Sequence, residues 1–218
     1  MYARFFKRIL DFLLSLCALA VLSPVLLILI ILGAVNMKGN PFFTQLRPGK
    51  DEKIFRLIKF RTMTNQKDKE GNLLPDDVRL TKYGKFLRST SLDELPELLN
   101  ILVGDMSIVG PRPLAVRYLD FYNETEKKRH SVLPGLTGLA QINGRNTVNW
   151  PERFAFDLEY VNHISLKLDV VIVLKTIMKV LKRSDISIRE TGNIMDFDKY
   201  RILENEGELS KDEGCAEK

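Results

Sequence analysis

A mainly helical α+β fold is predicted: a compact domain on the cytoplasmic face of a membrane, carried by a re-entrant, non-spanning hydrophobic hairpin and by interfacial amphipathic helices. Three observations predict it. One apolar block, residues 9–35, stands in a chain of 218 residues that is otherwise rich in charge. Basic residues flank that block on both sides, and the chain carries a net charge of +5. Beyond it, two stretches alternate apolar and basic residues around Pro48-Gly49, and the remainder shows helical periodicity. The length suits one domain with appendages: 1–36 for the membrane element, 37–185 for the domain and 186–218 for a polar tail.

The block could by length form a span, which needs about 20 residues. Arg4, Lys7 and Arg8 before it would also suit a signal peptide, but Ser23-Pro24 followed by Val-Leu-Leu-Ile offers no small-residue cleavage site. Lys38, Arg47, Lys50, Lys53 and Arg56 follow the block, so both ends are drawn to the cytoplasm. A straight span cannot satisfy both ends; a hairpin entering and leaving by one face can. Pro24 removes a helix hydrogen bond and Ser23 can re-satisfy the freed carbonyl, which marks the pair as the bend. Each arm of about 12 residues reaches roughly 18 Å, to mid-bilayer.

Residues 41–47 (PFFTQLR) and 53–63 (KIFRLIKFRTM) read as strands, with Lys59 and Arg61 on one face. After a polar connection, residues 79–92 read as a helix whose Arg79, Lys82, Lys85 and Arg88 form a basic ridge, either a solvated face or a phosphate contact.

Residues 87–113 read LRSTSLDELPELLNILVGDMSIVGPRP and set the adjacent carboxylates Asp93-Glu94 between Arg88 and Arg112. Proline is tolerated in a first helical turn. Pro96 therefore predicts a helix that begins at Asp93 or just before it, with Leu95, Leu98, Leu99 and Leu102 as its apolar stripe. The carboxylates then lie at the positive end of the helix dipole, a place for anions or a metal–phosphate assembly. Taken alone, the pair reads equally as a helix cap, because Ser91 and Glu94 have capping-box spacing. Pro111 and Pro113 hold Arg112 rigid, which suits a guanidinium meeting a phosphate in bidentate geometry.

Residues 114–129 read as a helix. The glycine-punctuated loop 134–141 permits close backbone approach to a ligand, with Gln141 and Arg145 as polar contacts. Residues 150–162 and 165–183 read as helices, the second as either a core helix or, in preference given the membrane anchor, an amphipathic helix in the membrane interface with snorkelling lysines. The acidic tail is expected to be disordered. Cys17 and Cys215 make neither a disulfide framework nor a zinc pattern, His130 and His163 have no metal-ligand spacing, and no GxGxxG or P-loop is present. The basic charge raises nucleic acid as a partner, but the chain has no recognisable nucleic-acid module.

Basic N-terminus, apolar block with Ser23-Pro24, KFRTM at 59–63, SLDELP at 91–96, GDMS at 104–107, GPRP at 110–113, PGLTG at 134–138 and QINGR at 141–145 occur in one order. That order resembles the bacterial sugar transferases known as monotopic phosphoglycosyl transferases, in their minimal form, over roughly residues 1–185. The resemblance implies a catalytic domain that moves a sugar 1-phosphate from a UDP-sugar to polyprenyl (undecaprenyl) phosphate with release of UMP, at the bacterial inner membrane in contact with phospholipid. It implies Asp93 as the nucleophile, a covalent phosphosugar–aspartate intermediate, Glu94 completing the dyad, and Mg²⁺ bridging carboxylates and diphosphate. Arg88 and Arg112 would then contact phosphate, with Lys59, Gln141 and Arg145 lining the nucleotide-sugar site. The alternative is a non-catalytic, membrane-anchored scaffold that binds anionic lipid.

Overall fold

The computed structural model describes residues 2–144, 148–182 and 195–207. Helix α1 (Lys7–Met37) is docked along a domain of short helices and two small sheets. Near its start, the Arg8 guanidinium donates to the carbonyls of Ile101 and Leu102, and the Ile108 N–H donates to Asp11 Oδ1. Further along, Ala18, Leu19 and Leu22 pack on Phe55, Leu57, Leu98, Ile101 and Met106, and Leu29 packs on Phe60 and Leu87. Near the end, Tyr83 OH donates to the Leu29 carbonyl, and Gly33 lies so close to Pro41 that an added Cβ would sit 2.8 Å from the proline Cβ. The opposite face exposes Phe12, Leu16, Leu27, Ile31 and Val35. Among the described residues, α1 alone is long and apolar enough to cross a membrane.

The two expected arms are one element, for α1 runs through Pro24 without interruption. Pro24 leaves the carbonyl four residues back, that of Ala20, without its usual donor. Ser23 Oγ donates to it at 2.8 Å, which explains how the helix tolerates an internal proline.

Strands β1 (Phe42–Pro48) and β2 (Ile54–Phe60) form the expected hairpin, with Phe42 stacked on Phe60. The free edge of β2 is satisfied by one side chain: Asn100 accepts from the Ile58 N–H at 3.0 Å and donates to the Arg56 carbonyl at 2.9 Å. The expected helix over 79–92 is divided into α2 (Asp76–Arg79) and α3 (Lys82–Thr90), because Thr81 leaves the helical conformation to accept from the Gly84 N–H at 2.9 Å. The ridge is divided with it. Arg79 pairs with Asp76, Lys82 and Lys85 are exposed, and Arg88 turns inward.

Helix α4 (Glu97–Val103) leads to β3 (Ser107–Val109), which pairs in parallel with β4 (Gly135–Thr137). No α-helix forms over 114–129. Two 3-10 segments, Val116–Phe121 and Glu126–Ser131, replace it, because the Asn123 carboxamide accepts from the N–H groups of Thr125 and Glu126 and turns the chain. The glycines of 134–138 serve the chain itself rather than a ligand: a Cβ on Gly135 would lie 2.1 Å from the Gly110 nitrogen, and one on Gly138 2.2 Å from the Gly110 oxygen.

The loop expected over 134–141 gives way at its end to a short helix, α5 (Leu139–Asn143), and the helices expected over 150–162 and 165–183 form as α6 (Trp150–Asn162) and α7 (Leu166–Lys182). Helix α7 buries Asp169 and Ile172 and exposes Leu166, Val170, Leu174, Ile177, Met178 and Leu181, an amphipathic split with lysines near its end. Asp169 fastens it to α1 through Lys7 at 2.7 Å. The tail expected to be disordered contains a helix, α8 (Phe197–Glu206), whose Phe197 is buried with Tyr118, Tyr122, Trp150 and Phe154. One aromatic residue in a polar stretch supplies the burial that orders it.

Candidate active site

The Asp93-Glu94 pair stands in an elbow between α3 and α4. Ser91 ends α3 in the left-handed conformation, φ 56°, with its N–H bonded to the last carbonyls of that helix. A 3-10 turn, Leu92–Glu94, follows, and α4 begins at Glu97 with Pro96 immediately before it. The expected helix start at Asp93 is therefore corrected, and so is the capping box. Ser91 is committed to closing the preceding helix, and its hydroxyl caps nothing after it. The inward face of α4 is Leu98, Asn100 and Ile101 with Glu97, while Leu99 is exposed.

Two other parts of the chain converge on Glu94. Arg112, from the Pro111-Arg112-Pro113 segment, meets Glu94 Oε1 at 2.5 Å, and Lys59, from β2, meets the same oxygen at 2.9 Å. Lys59 also reaches Glu97 at 3.0 Å. Burial would raise the Glu94 pKa, but Arg112 and Lys59 outweigh it and hold the carboxyl well below the usual carboxylate range. Burial likewise presses the Lys59 ammonium towards neutrality, and Glu94 and Glu97 more than reverse that. Glu97 is pushed up to about 7, by burial and then by the charge of Glu94.

Asp93 differs from both glutamates. No side-chain hydrogen bond or ion pair engages its carboxylate among the described residues; Lys59, Arg112 and Arg88 act on it only through space. Burial and the Glu94 charge push its pKa up to about 6. The arrangement is one carboxylate held through a single oxygen by two cations beside another left with free lone pairs, in a field of three positive groups. It can present an anionic nucleophile to an anionic phosphorus, which needs such neutralisation.

Of the other expected site residues, Arg88 is near Asp93, its Nε donating to Thr62 Oγ1 at 3.1 Å. Gln141 is buried beside Gly138, with no hydrogen-bond partner among the described residues and none joining it to the carboxylates. Arg145 lies outside the described residues. Ser23 and Pro24 lie within α1 and shape that helix. Three contributors were not anticipated. Glu97 could have been suspected from its place one turn after Asp93, and Thr62 from the KFRTM stretch. The Arg129 side chain, 1% exposed, pairs with Asp157 and donates to the Arg112 carbonyl at 2.7 Å; no local signal announces that contact.

Among the described residues, no group of three or more His, Cys, Asp or Glu is placed to hold a metal. Magnesium is commonly held by only one or two carboxylates together with substrate phosphates. The unengaged Asp93 carboxylate, next to Glu94, fits that donor set.

Fold and site together define a class: a carboxylate centre in a domain docked along a long apolar helix suited to a membrane. The family follows from comparison with known proteins. Residues 2–183 match the family described as bacterial sugar transferase, and the chain belongs to it. It is 49% identical over 188 residues to the uncharacterised sugar transferase EpsL of Bacillus subtilis, covering 86% of this chain and 92% of that protein. It is 44% identical over 184 residues to a UDP-glucose:undecaprenyl-phosphate glucose-1-phosphate transferase of Klebsiella pneumoniae, covering 80% of this chain and 40% of that protein. It is 42% identical over 193 residues to the exopolysaccharide production protein ExoY of Sinorhizobium fredii, 84% of which is covered. The chain thus matches shorter relatives nearly end to end and less than half of the longer ones.

Proposed function

We propose that this chain transfers a sugar 1-phosphate from a UDP-sugar to a polyprenyl phosphate, undecaprenyl phosphate in the first instance, releasing UMP. The observation that carries this reading is the unengaged Asp93 carboxylate beside a Glu94 that Arg112 and Lys59 hold through Oε1. The names of the longer relatives from Klebsiella pneumoniae and Escherichia coli support the substrate classes.

An Asp93 oxygen attacks the sugar-bearing phosphorus; the bond from that phosphorus to UMP breaks and UMP leaves. An oxygen of the lipid phosphate then attacks the same phosphorus, the bond to Asp93 breaks, and the carboxylate returns. Arg112 and Arg88 neutralise the phosphate oxygens, with Lys59 holding Glu94 ionised beside them. Bound Mg²⁺, held by Asp93 and Glu94 with the diphosphate, would supply further charge neutralisation. Gln141 and Arg145 belong to the nucleotide-sugar lining in this reading.

The membrane placement is monotopic, on the cytoplasmic face of the bacterial inner membrane. A spanning helix would carry one end away from its domain. Here contacts to the domain run from Arg8 to Gly33, which supports a helix whose two ends stay on one face of the membrane. The exposed apolar faces of α1 and α7 then meet phospholipid.

The test incubates the purified chain with Mg²⁺, undecaprenyl phosphate and a panel of UDP-sugars, beside Asp93→Asn. UMP release that needs the lipid and Asp93 is the expected result, with a phosphosugar adduct on Asp93 in intact-mass spectra. Release of UDP instead of UMP overturns the phosphosugar transfer. A scaffold would be untouched by Asp93→Asn.

A further inference from the structure

Helix α8 lies beyond the residues that match the family, which end at 183, yet its first residue is wholly buried. The Phe197 ring meets those of Tyr118, Tyr122, Trp150 and Phe154 at centroid distances of 5.5, 5.2, 5.1 and 5.0 Å. Polar contacts fix the same helix in register. Trp150 Nε1 donates to the Met195 carbonyl at 2.9 Å, Tyr118 OH to Asp196 Oδ1 at 3.0 Å, and Arg201 to both oxygens of Glu126 at 2.6 and 2.7 Å.

The aromatic cluster under α8 is also the seat of Arg129. The Arg129 guanidinium lies 5.8 Å from the ring centroids of Tyr122 and of Phe154, two of the rings that Phe197 touches. From there Arg129 pairs with Asp157 and donates to the Arg112 carbonyl. That last bond matters because Pro111 and Pro113 carry no N–H. The segment is held through its carbonyls, Pro111 by the Gly135 N–H at 2.9 Å and Arg112 by Arg129 at 2.7 Å. Contacts therefore run unbroken from Phe197 to the Arg112 that neutralises Glu94 beside Asp93.

We infer that α8 is a clasp for the active site: docked through Phe197 and Arg201, it holds Arg129, and through it the Arg112 segment, where the sugar diphosphate binds. Phe197 and Arg201 are positioning residues. This rests on the reading of Arg112 as a phosphate contact.

The test uses the full chain carrying Phe197→Ala, Phe197→Leu or Arg201→Gln, each read by two measurements. In steady-state kinetics, Phe197→Ala raises the KM for the UDP-sugar on the order of tenfold and leaves the KM for the lipid phosphate unchanged; Phe197→Leu, which keeps apolar volume, restores most of the loss. In hydrogen–deuterium exchange, Phe197→Ala speeds exchange in residues 112–131 and leaves α1 and the β1–β2 hairpin unchanged. A fall in kcat with both KM values intact, or faster exchange throughout, means general loss of folded protein and overturns the clasp. Should Phe197→Ala fail to fold, Arg201→Gln keeps the ring seated and is judged by the same criteria. Should the wild type release no UMP, the transferase reading falls, and the exchange pattern by itself decides the clasp.

Discussion

Arg112 joins two groups of buried charge built on different plans. Behind its backbone, Arg129 and Asp157 meet one to one through two hydrogen bonds, both side chains withdrawn from solvent. In front of its guanidinium, Asp93, Glu94 and Glu97 crowd around Lys59, and only Glu94 receives hydrogen bonds from both Lys59 and Arg112. A closed pair has every charge answered, so what it contributes is rigidity. The crowded group leaves one carboxylate unengaged and two with raised pKa values, the imbalance expected where a group must react.

The largest effect should come from removing the unengaged carboxylate. Asp93→Asn is expected to lower turnover by about 10³-fold or more, with the thermal midpoint nearly unchanged; retained turnover would break the contrast outright. The closed pair should behave the other way. Asp157→Ala strands a buried guanidinium and costs about 3–5 kcal/mol of stability in urea unfolding. The apolar double variant Arg129→Met, Asp157→Leu should recover most of that stability but little of the turnover, since the Arg112 carbonyl loses its donor.

A smaller, reversible effect follows from pH. An Asp93 nucleophile, as proposed, would attack only when ionised. With its pKa pushed up to about 6 by burial, single-turnover UMP release should be level at neutral pH and decline as pH falls through that value. A rate unchanged down to the ordinary aspartate range would show that Asp93 is not the titrating nucleophile. The smallest effect is reserved for Glu97. With a pKa of about 7 it already keeps its proton part of the time at neutral pH, so Glu97→Gln should cost less than about 1 kcal/mol by thermal unfolding. Glu94→Gln, which removes the charge that answers Arg112 and leaves Lys59 with Glu97 alone, should cost distinctly more.

The elements legible beforehand share one property: their cause is local. The apolar block became α1, the alternation around Pro48-Gly49 became β1 and β2, and the 3.6-residue periodicities became α6 and α7. The Ser23-Pro24 pair was read correctly for its chemistry, a hydroxyl serving the carbonyl that proline frees, though the helix continues through it. Where local signals competed, the reading failed. Pro96 permits a helix starting several residues earlier, and Ser91 with Glu94 permits a cap. Both lost to Ser91 closing α3 in a left-handed conformation. The 114–129 stretch reads as a helix, but the Asn123 side chain bonds backbone N–H groups and divides it.

The sequence by itself determined the kind of protein: an apolar helix with basic flanks, a carboxylate pair, arginines to meet phosphates, and an order of motifs characteristic of one family. Each is a property of neighbours along the chain. Only the tertiary structure decided which carboxylate is free and which is neutralised. Lys59, Glu94 and Arg112 come from a strand, a turn and a proline-bounded loop, and their charges fall off with distance in space, not in sequence. It also decided that a tail helix stands behind Arg112. The aromatic cluster that seats Phe197 is assembled from segments far apart in the chain, so no local pattern in the tail points to the burial that orders it.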